Sequence, residues 1–169
     1  MSSGVNYIPF HYIICLSEKL PPTPAPGDGT CLDYTVPYGR YCYFVYNGQI
    51  GFSWPESEHY CQMGRMELVS LHSRAEVEFI RNHNVTKYHN IWIGLTRDSN
   101  FGWSWTDKTS IGFLNWAPNE PNAVFHPGNM PENCVEMYPD GRWNDNNCME
   151  KRGFACRHRQ CKQFINYFC

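Results

Sequence analysis

Apolar and polar positions change their rhythm several times between residues 31 and 159. The stretch "CLDYTVPYGRYCYFVYNG" sets turn residues among aromatics and reads as a β-hairpin. Ser53 followed by Glu56, and Ser73 followed by Glu76, have the spacing of capping boxes. They predict two short helices, about Trp54–Met63 and about Arg74–Asn82. In the second, Val77, Ile80 and the stem of Arg81 share a face, with Phe79 nearby. "IWIGL" at 91–95 is an unbroken apolar run of buried-strand type. "FGWSW" and a long irregular region follow, then short strands at "CVEMY", "GRWND" and "GFACRH". The order is hairpin, two helices, then strands around a long loop, which is α+β rather than alternating βαβ. A loop region as long as 107–133 is unusual in a compact domain and is either functional or disordered. Flanking cysteines and several tryptophans favour function.

Outside that region the pattern weakens. Residues 1–30 end in the Pro-rich "KLPPTPAPGDGT", an extended, semi-rigid stretch. We place the folded unit at 31–159, with tails at 1–30 and 160–169. With 14 basic and 16 acidic residues, charge is nearly balanced, which argues against nucleic acid or an anionic membrane as the main partner. No apolar run approaches the roughly 20 residues needed to cross a bilayer, so membrane insertion by this chain is not expected.

Cysteine changes the picture most. There are nine, with no CxxC pair and no zinc-finger clustering with histidine, and nothing singles out a catalytic thiol. Many cysteines without metal spacing favour disulfides and an oxidising, extracellular setting. The sequon "NVT" makes Asn84 a glycosylation candidate.

These residues resemble the C-type lectin-like domain. "WIGL" at 92–95, "GWSWTD" at 102–107, "NW" at 115–116, "EPN" at 120–122, "ENC" at 132–134, "WND" at 143–145 and "FAC" at 154–156 come in the family's order. The "EPN" and "WND" pair beside Pro-rich linkers is similar to the mannose receptor group. The resemblance implies two short helices with antiparallel sheets, a long loop and three disulfides: Cys31–Cys42, Cys61–Cys156 and Cys134–Cys148. Cys15, Cys161 and Cys169 remain. "FHYIIC" at 10–15 resembles the last strand of a preceding domain, compare "RGFAC", so the chain is either part of a tandem multi-domain receptor or carries an unrelated tail.

The long loop offers five oxygen-bearing side chains: Glu120, Asn122, Glu132, Asn144 and Asp145. Calcium takes 6–8 oxygen ligands, and without Cys or His the set suits zinc or copper poorly. The resemblance implies that these five hold one Ca2+, with a cis bond before Pro121 aiming Glu120 and Asn122 together. It implies that two vicinal sugar hydroxyls complete the shell, each giving a proton to a carboxylate and accepting one from an Asn amide. Glu120, Asn122, Glu132, Asn144 and Val124 are the sugar-binding candidates. The Glu-Pro-Asn order implies mannose, N-acetylglucosamine, fucose or glucose, on glycans or glycoproteins; "QPD" goes with galactose.

Some positions depart from the family. "AVFHPGNMP" at 123–131 is longer than in simple mannose binders and offers contacts through Val124, Phe125 and His126. An auxiliary calcium site would need acids where Arg97, Ala123 and Asn133 stand, so one calcium is expected. "TDKT" at 106–109 replaces an Asp-Gly turn. Trp92, Trp103, Trp105 and Trp116 are expected in the core, and Trp143 beneath the site, orienting Asn144. A glycosidase reading fails, because carboxylates committed to calcium leave no protonated acid; no enzyme is expected. The rival reading is a protein-binding module in which calcium only orders the loop.

Overall fold

The computed structural model describes residues 23–46, 49–83, 86–122 and 131–162. Val124, Phe125, His126, Ala123, Asn84, Cys15 and Cys169, named above as candidates, lie outside the described residues.

The predicted hairpin forms from β1 (Val36–Tyr38) and β2 (Tyr41–Val45), with Gly39 at φ 57° in the turn. Helix α1 spans Trp54–Met63. Ser53 Oγ accepts from the Glu56 N–H, and the Glu56 carboxylate accepts from the Ser53 N–H at 2.6 Å, so the capping box is complete. Helix α2 spans Arg74–Arg81, ending one residue before its expected limit with Asn82 as C-cap. Its cap differs from the reading above. Ser73 Oγ accepts from the Glu76 N–H at 3.2 Å, but the Glu76 carboxylate reaches past Ser73 to the His72 N–H at 2.5 Å. That carboxylate also lies toward the buried Arg157, which pulls it inward.

The remaining strands are β3 (Glu67–Leu68), β4 (Ile91–Arg97), β5 (Trp103–Trp105), β6 (Cys134–Met137), β7 (Trp143–Asn146) and β8 (Gly153–Arg159). The sheet runs β1-β2-β8-β4-β6-β7, with β3 on β8 and β5 on β4. The expectation of antiparallel sheets needs correction: β4 and β8 run parallel, pairing Ile91 with Gly153 and Trp92 with Phe154, so the sheet is mixed. The α+β class stands. "WSW" is a strand rather than irregular, because Leu95–Trp105 and Arg97–Trp103 pairing draws it onto β4.

Two cores flank the sheet. One gathers Val69, Leu71, Val77, Ile80, Ile93, Leu95, Trp105, Val135, Met137 and Trp143 on the α2 side. The other gathers Trp54, Cys61, Met66, Leu68, Trp92, Phe154 and Cys156 on the α1 side. "IWIGL" feeds both, since a strand buried on two faces needs apolar residues at every position. Trp92 and Trp105 are buried as expected, while Trp103 and Trp116 are half-buried against the first core.

All three expected disulfides form: Cys31–Cys42, Cys61–Cys156 and Cys134–Cys148. Cys61–Cys156 ties α1 to β8, and its long span stabilises by about 4–5 kcal/mol in the chain-entropy model. Cys161 is disulfide-bonded as well.

Candidate functional site

The long loop reaches the sheet edge through β7. Trp143 N donates to Asn115 O at 2.9 Å, and Ala117 N donates to Trp143 O at 2.8 Å. Asn115 Nδ2 adds a bond to Gly141 O at 2.7 Å. These contacts lay 115–117 beside β7 as a short parallel bridge. Trp143, Trp105, Phe113 and Trp116 pack their rings beneath it. Glu120 N then donates to Ala117 O, closing a turn with Asn119 at φ 68°. Asn tolerates that left-handed conformation better than most residues. The bond between Glu120 and Pro121 is cis.

This brings Glu120, Asn122 and Asp145 together. Asn122 N donates to Glu120 Oε2 and to Asp145 Oδ1, both at 3.0 Å. Asn122 Nδ2 lies 3.4 Å from Glu120 Oε1. Asp145 is fully buried, while Asn122 is exposed. The Glu120 carboxyl is pushed above its ordinary range, first by desolvation, then by its hydrogen bond with Asp145 and the charges of Asp145 and Glu132. The Asn122 N–H opposes that shift. Glu132, half-buried just ahead of β6, is therefore close enough to act on Glu120.

Asn144 is placed differently. Alternation along β7 turns Trp143 and Asp145 into the buried side and Asn144 and Asn146 to the other. Trp143 packs in the first core beneath the site, and the Asn144 amide has a hydrogen-bond partner that the sequence reading did not name. Its partner is Glu136, directly across in the β6–β7 register: Asn144 Nδ2 donates to Glu136 Oε1 at 3.1 Å. Asn146 Nδ2 donates to the same oxygen at 3.1 Å, and Arg152 Nε pairs with Glu136 Oε2 at 2.5 Å. Sequence reading missed Glu136 and Arg152. The available signal was a lone acid inside the apolar strand "CVEM".

Of the positions named for an auxiliary site, Arg97 stacks its guanidinium on Trp103 at 4.2 Å, and Arg97 N donates to Asn133 O. Thr86, the hydroxyl residue of the sequon, is buried and donates to Ile80 O and His83 O, closing the end of α2. Its presence is thus accounted for by helix termination, whatever happens at Asn84.

A hard cation fits this donor set. Glu120, Asn122 and Asp145 come together without a sulfur or imidazole, Glu132 is close enough to act on Glu120, and Glu120 and Asp145 sit in contact although like charges repel. Among the described residues, no group of three or more His, Cys, Asp and Glu side chains is drawn together tightly enough to mark a metal cage by itself.

The model of the C-type lectin domain matches residues 51–158. The chain belongs to the C-type lectin domain family. This is a family of carbohydrate-binding, non-catalytic domains. Asialoglycoprotein receptor 2 of Rattus norvegicus is 37% identical over 79% of this chain and 44% of its own length. C-type lectin domain family 10 member A of Homo sapiens is 35% identical over 78% of this chain and 42% of its own. The chain thus spans less than half the length of these curated relatives. Among solved structures, the cow carbohydrate-recognition domain of CD23, crystallised in the presence of GlcNAc2Man3 oligosaccharide, superposes with a TM-score of 0.69 at 29% identity, covering 79% of this chain and 99% of that one. The domain of murine dendritic cell inhibitory receptor 2, in complex with an N-glycan, gives 0.66 at 31%, covering 78% and 100%. The lectin family is therefore shown, and the nearer likeness to the mannose receptor group is not among these findings.

Proposed function

We propose that residues 31–159 form an extracellular, calcium-dependent carbohydrate-binding domain that takes mannose-type sugars. Glu120, Asn122, Glu132, Asn144 and Asp145 would hold Ca2+, which when bound offers a sugar two coordination positions for vicinal hydroxyls. Glu120 and Glu132 would accept the hydroxyl protons, and the Asn122 and Asn144 amides would donate to the hydroxyl oxygens. Val124 would add an apolar contact. Glycans or glycoproteins with terminal mannose, N-acetylglucosamine, fucose or glucose are the partners. Asn84 is the proposed glycosylation site.

The observation that carries this reading is the convergence of Glu120 and Asp145 on one backbone N–H, that of Asn122, with Glu132 near enough to act on Glu120. The Glu-Pro-Asn order supports the mannose class. The relatives' name speaks instead of asialoglycoproteins, so the sugar class is the part most in need of a test. Affinity for a single sugar should be weak, with avidity coming from several domains or chains.

The experiment is retention on immobilised mannose and immobilised galactose in calcium. Retention on mannose, with release by chelator or free mannose, is expected. Retention on galactose alone would overturn the sugar class but keep the mechanism. Retention on neither, in a protein that binds calcium, would favour a protein-binding module.

A further inference from the structure

We infer that Glu136, clamped by Arg152, is a positioning residue that fixes which end of the Asn144 amide faces outward. The inference rests on the reading of Asn144 as a calcium ligand.

An Asn amide has a broad terminal torsion and can turn either its oxygen or its nitrogen to a given point. A calcium ligand needs the oxygen there. Glu136 is 2% exposed and is bonded as a carboxylate, which only accepts. Opposite such a group only the amide nitrogen is tolerated, and Asn144 Nδ2 is what the structure places there, 3.1 Å from Oε1. Its carbonyl oxygen, at the other end of the planar amide, is then presented away from Glu136, and the second Nδ2 proton remains for a sugar hydroxyl. Asn146 Nδ2 shares Oε1, so that oxygen is saturated from β7. Arg152 Nε donates to Oε2 at 2.5 Å, a charge-assisted bond that fixes the buried carboxyl in place. The Arg152 guanidinium is itself steered over the Trp92 ring at 5.9 Å.

Packing alone does not ask for an acid here. Glu136 stands between Val135 and Met137, and opposite Trp92 on β4. An apolar side chain would fill such a place at no desolvation cost, and buried ion pairs seldom add net stability. What the acid adds is the polarity of the Asn144 amide. Outer partners that orient a metal's ligands in this way typically change affinity by about 10- to 100-fold when altered.

The test compares wild type with Glu136→Gln. Gln offers one oxygen and one NH2, so it sets donor against donor either at Arg152 or at the two Asn amides. Calcium titration followed by tryptophan fluorescence should show affinity about tenfold weaker in Glu136→Gln, with the chelator-treated protein still folded. A readout that needs neither metal nor sugar is the Asn144 side-chain amide in the nitrogen-15 NMR spectrum of chelator-treated wild type, assigned by its loss in Asn144→Asp. We expect its protons to be protected from exchange, and the protection to fall in Glu136→Gln, whose neutral oxygen is a weaker acceptor and turns toward Arg152 only by setting its NH2 against Asn144. If wild type binds no calcium, the proposed function falls and this inference with it. If wild type binds calcium and Glu136→Gln binds equally well, only this inference falls. If Glu136→Gln does not fold, unprotected Asn144 amide protons in wild type overturn it, and protected ones support it.

Discussion

Glu120 and Asp145 share a hydrogen-bond donor: the Asn122 N–H lies 3.0 Å from an oxygen of each. Two acids from distant parts of the chain are thus joined through one neutral amide. The arrangement tolerates like charges side by side, at the cost of raising the Glu120 carboxyl above its ordinary range. A divalent ion bound by both would remove that cost. Asp145→Asn keeps the shape and deletes one charge. In wild type, calcium at 100 times its dissociation constant should raise stability by about 2.7 kcal/mol. In Asp145→Asn that increment should vanish, while stability in chelator falls by less than the increment lost. Thermal melts with calcium and with chelator check both.

Glu120 and Asn122 flank Pro121 and place an acceptor beside a donor. Exchanging them in kind, Glu120→Gln with Asn122→Asp, reverses acceptor and donor without moving the backbone. The pair should shift preference from mannose-type toward galactose-type ligands on a glycan array. Calcium dependence should persist. An unchanged profile would show that sugar class is set elsewhere, with the 123–131 segment the next place to look.

How much of this was readable beforehand follows from the range of each signal. The Ser53–Glu56 box and the "IWIGL" strand are local patterns, and both form where expected. The parallel pairing of Ile91 with Gly153 joins segments far apart and leaves no periodic trace in either. β3 has two residues, too few to show a period. At the site, motif order pointed to Glu120, Asn122 and Asp145, which the fold brings together. The tie of Asn144 to Glu136 depends on strand register, which a single strand does not display. Only the oddity of an acid within "CVEM" hinted at it.

The "TDKT" turn also acquires a physical account. Lys108 adopts φ 61°, the left-handed region that favours glycine, where the family's turn carries Gly. Asp107 meanwhile bonds Ser70, Thr109 and Arg157, so the turn cannot relax by swinging away. Lys108→Gly should therefore stabilise the protein, by about 0.5–1 kcal/mol after allowing for the greater entropy of an unfolded glycine. Lys108→Ala should give no comparable gain. Urea unfolding of the three proteins at one pH separates the outcomes.

His72 makes stability depend on pH. Its Nε2 lies 3.1 Å from Arg157 Nη2 and 3.0 Å from Thr109 Oγ1. Arg157 is buried, and Glu76 from α2 and Asp107 from the turn after β5 also face this cluster. Desolvation, then the Arg157 charge, lowers the His72 pKa below its ordinary value near 6.5, with Glu76 and Asp107 opposing. The unfolded chain therefore binds the proton more readily than the folded protein. The stabilisation of neutral His72 is fully present above about pH 6.5, declines as pH falls below it, and levels off once pH passes the lowered folded value. His72→Gln cannot take up that proton. The difference in unfolding free energy between wild type and His72→Gln should be flat above about pH 7 and should move against wild type as pH falls through about 6.5. Chemical unfolding at intervals of half a pH unit, in chelator so that calcium does not contribute, measures that difference. A difference that is constant with pH would mean that His72 titrates alike in both states, and that the guanidinium beside it is screened.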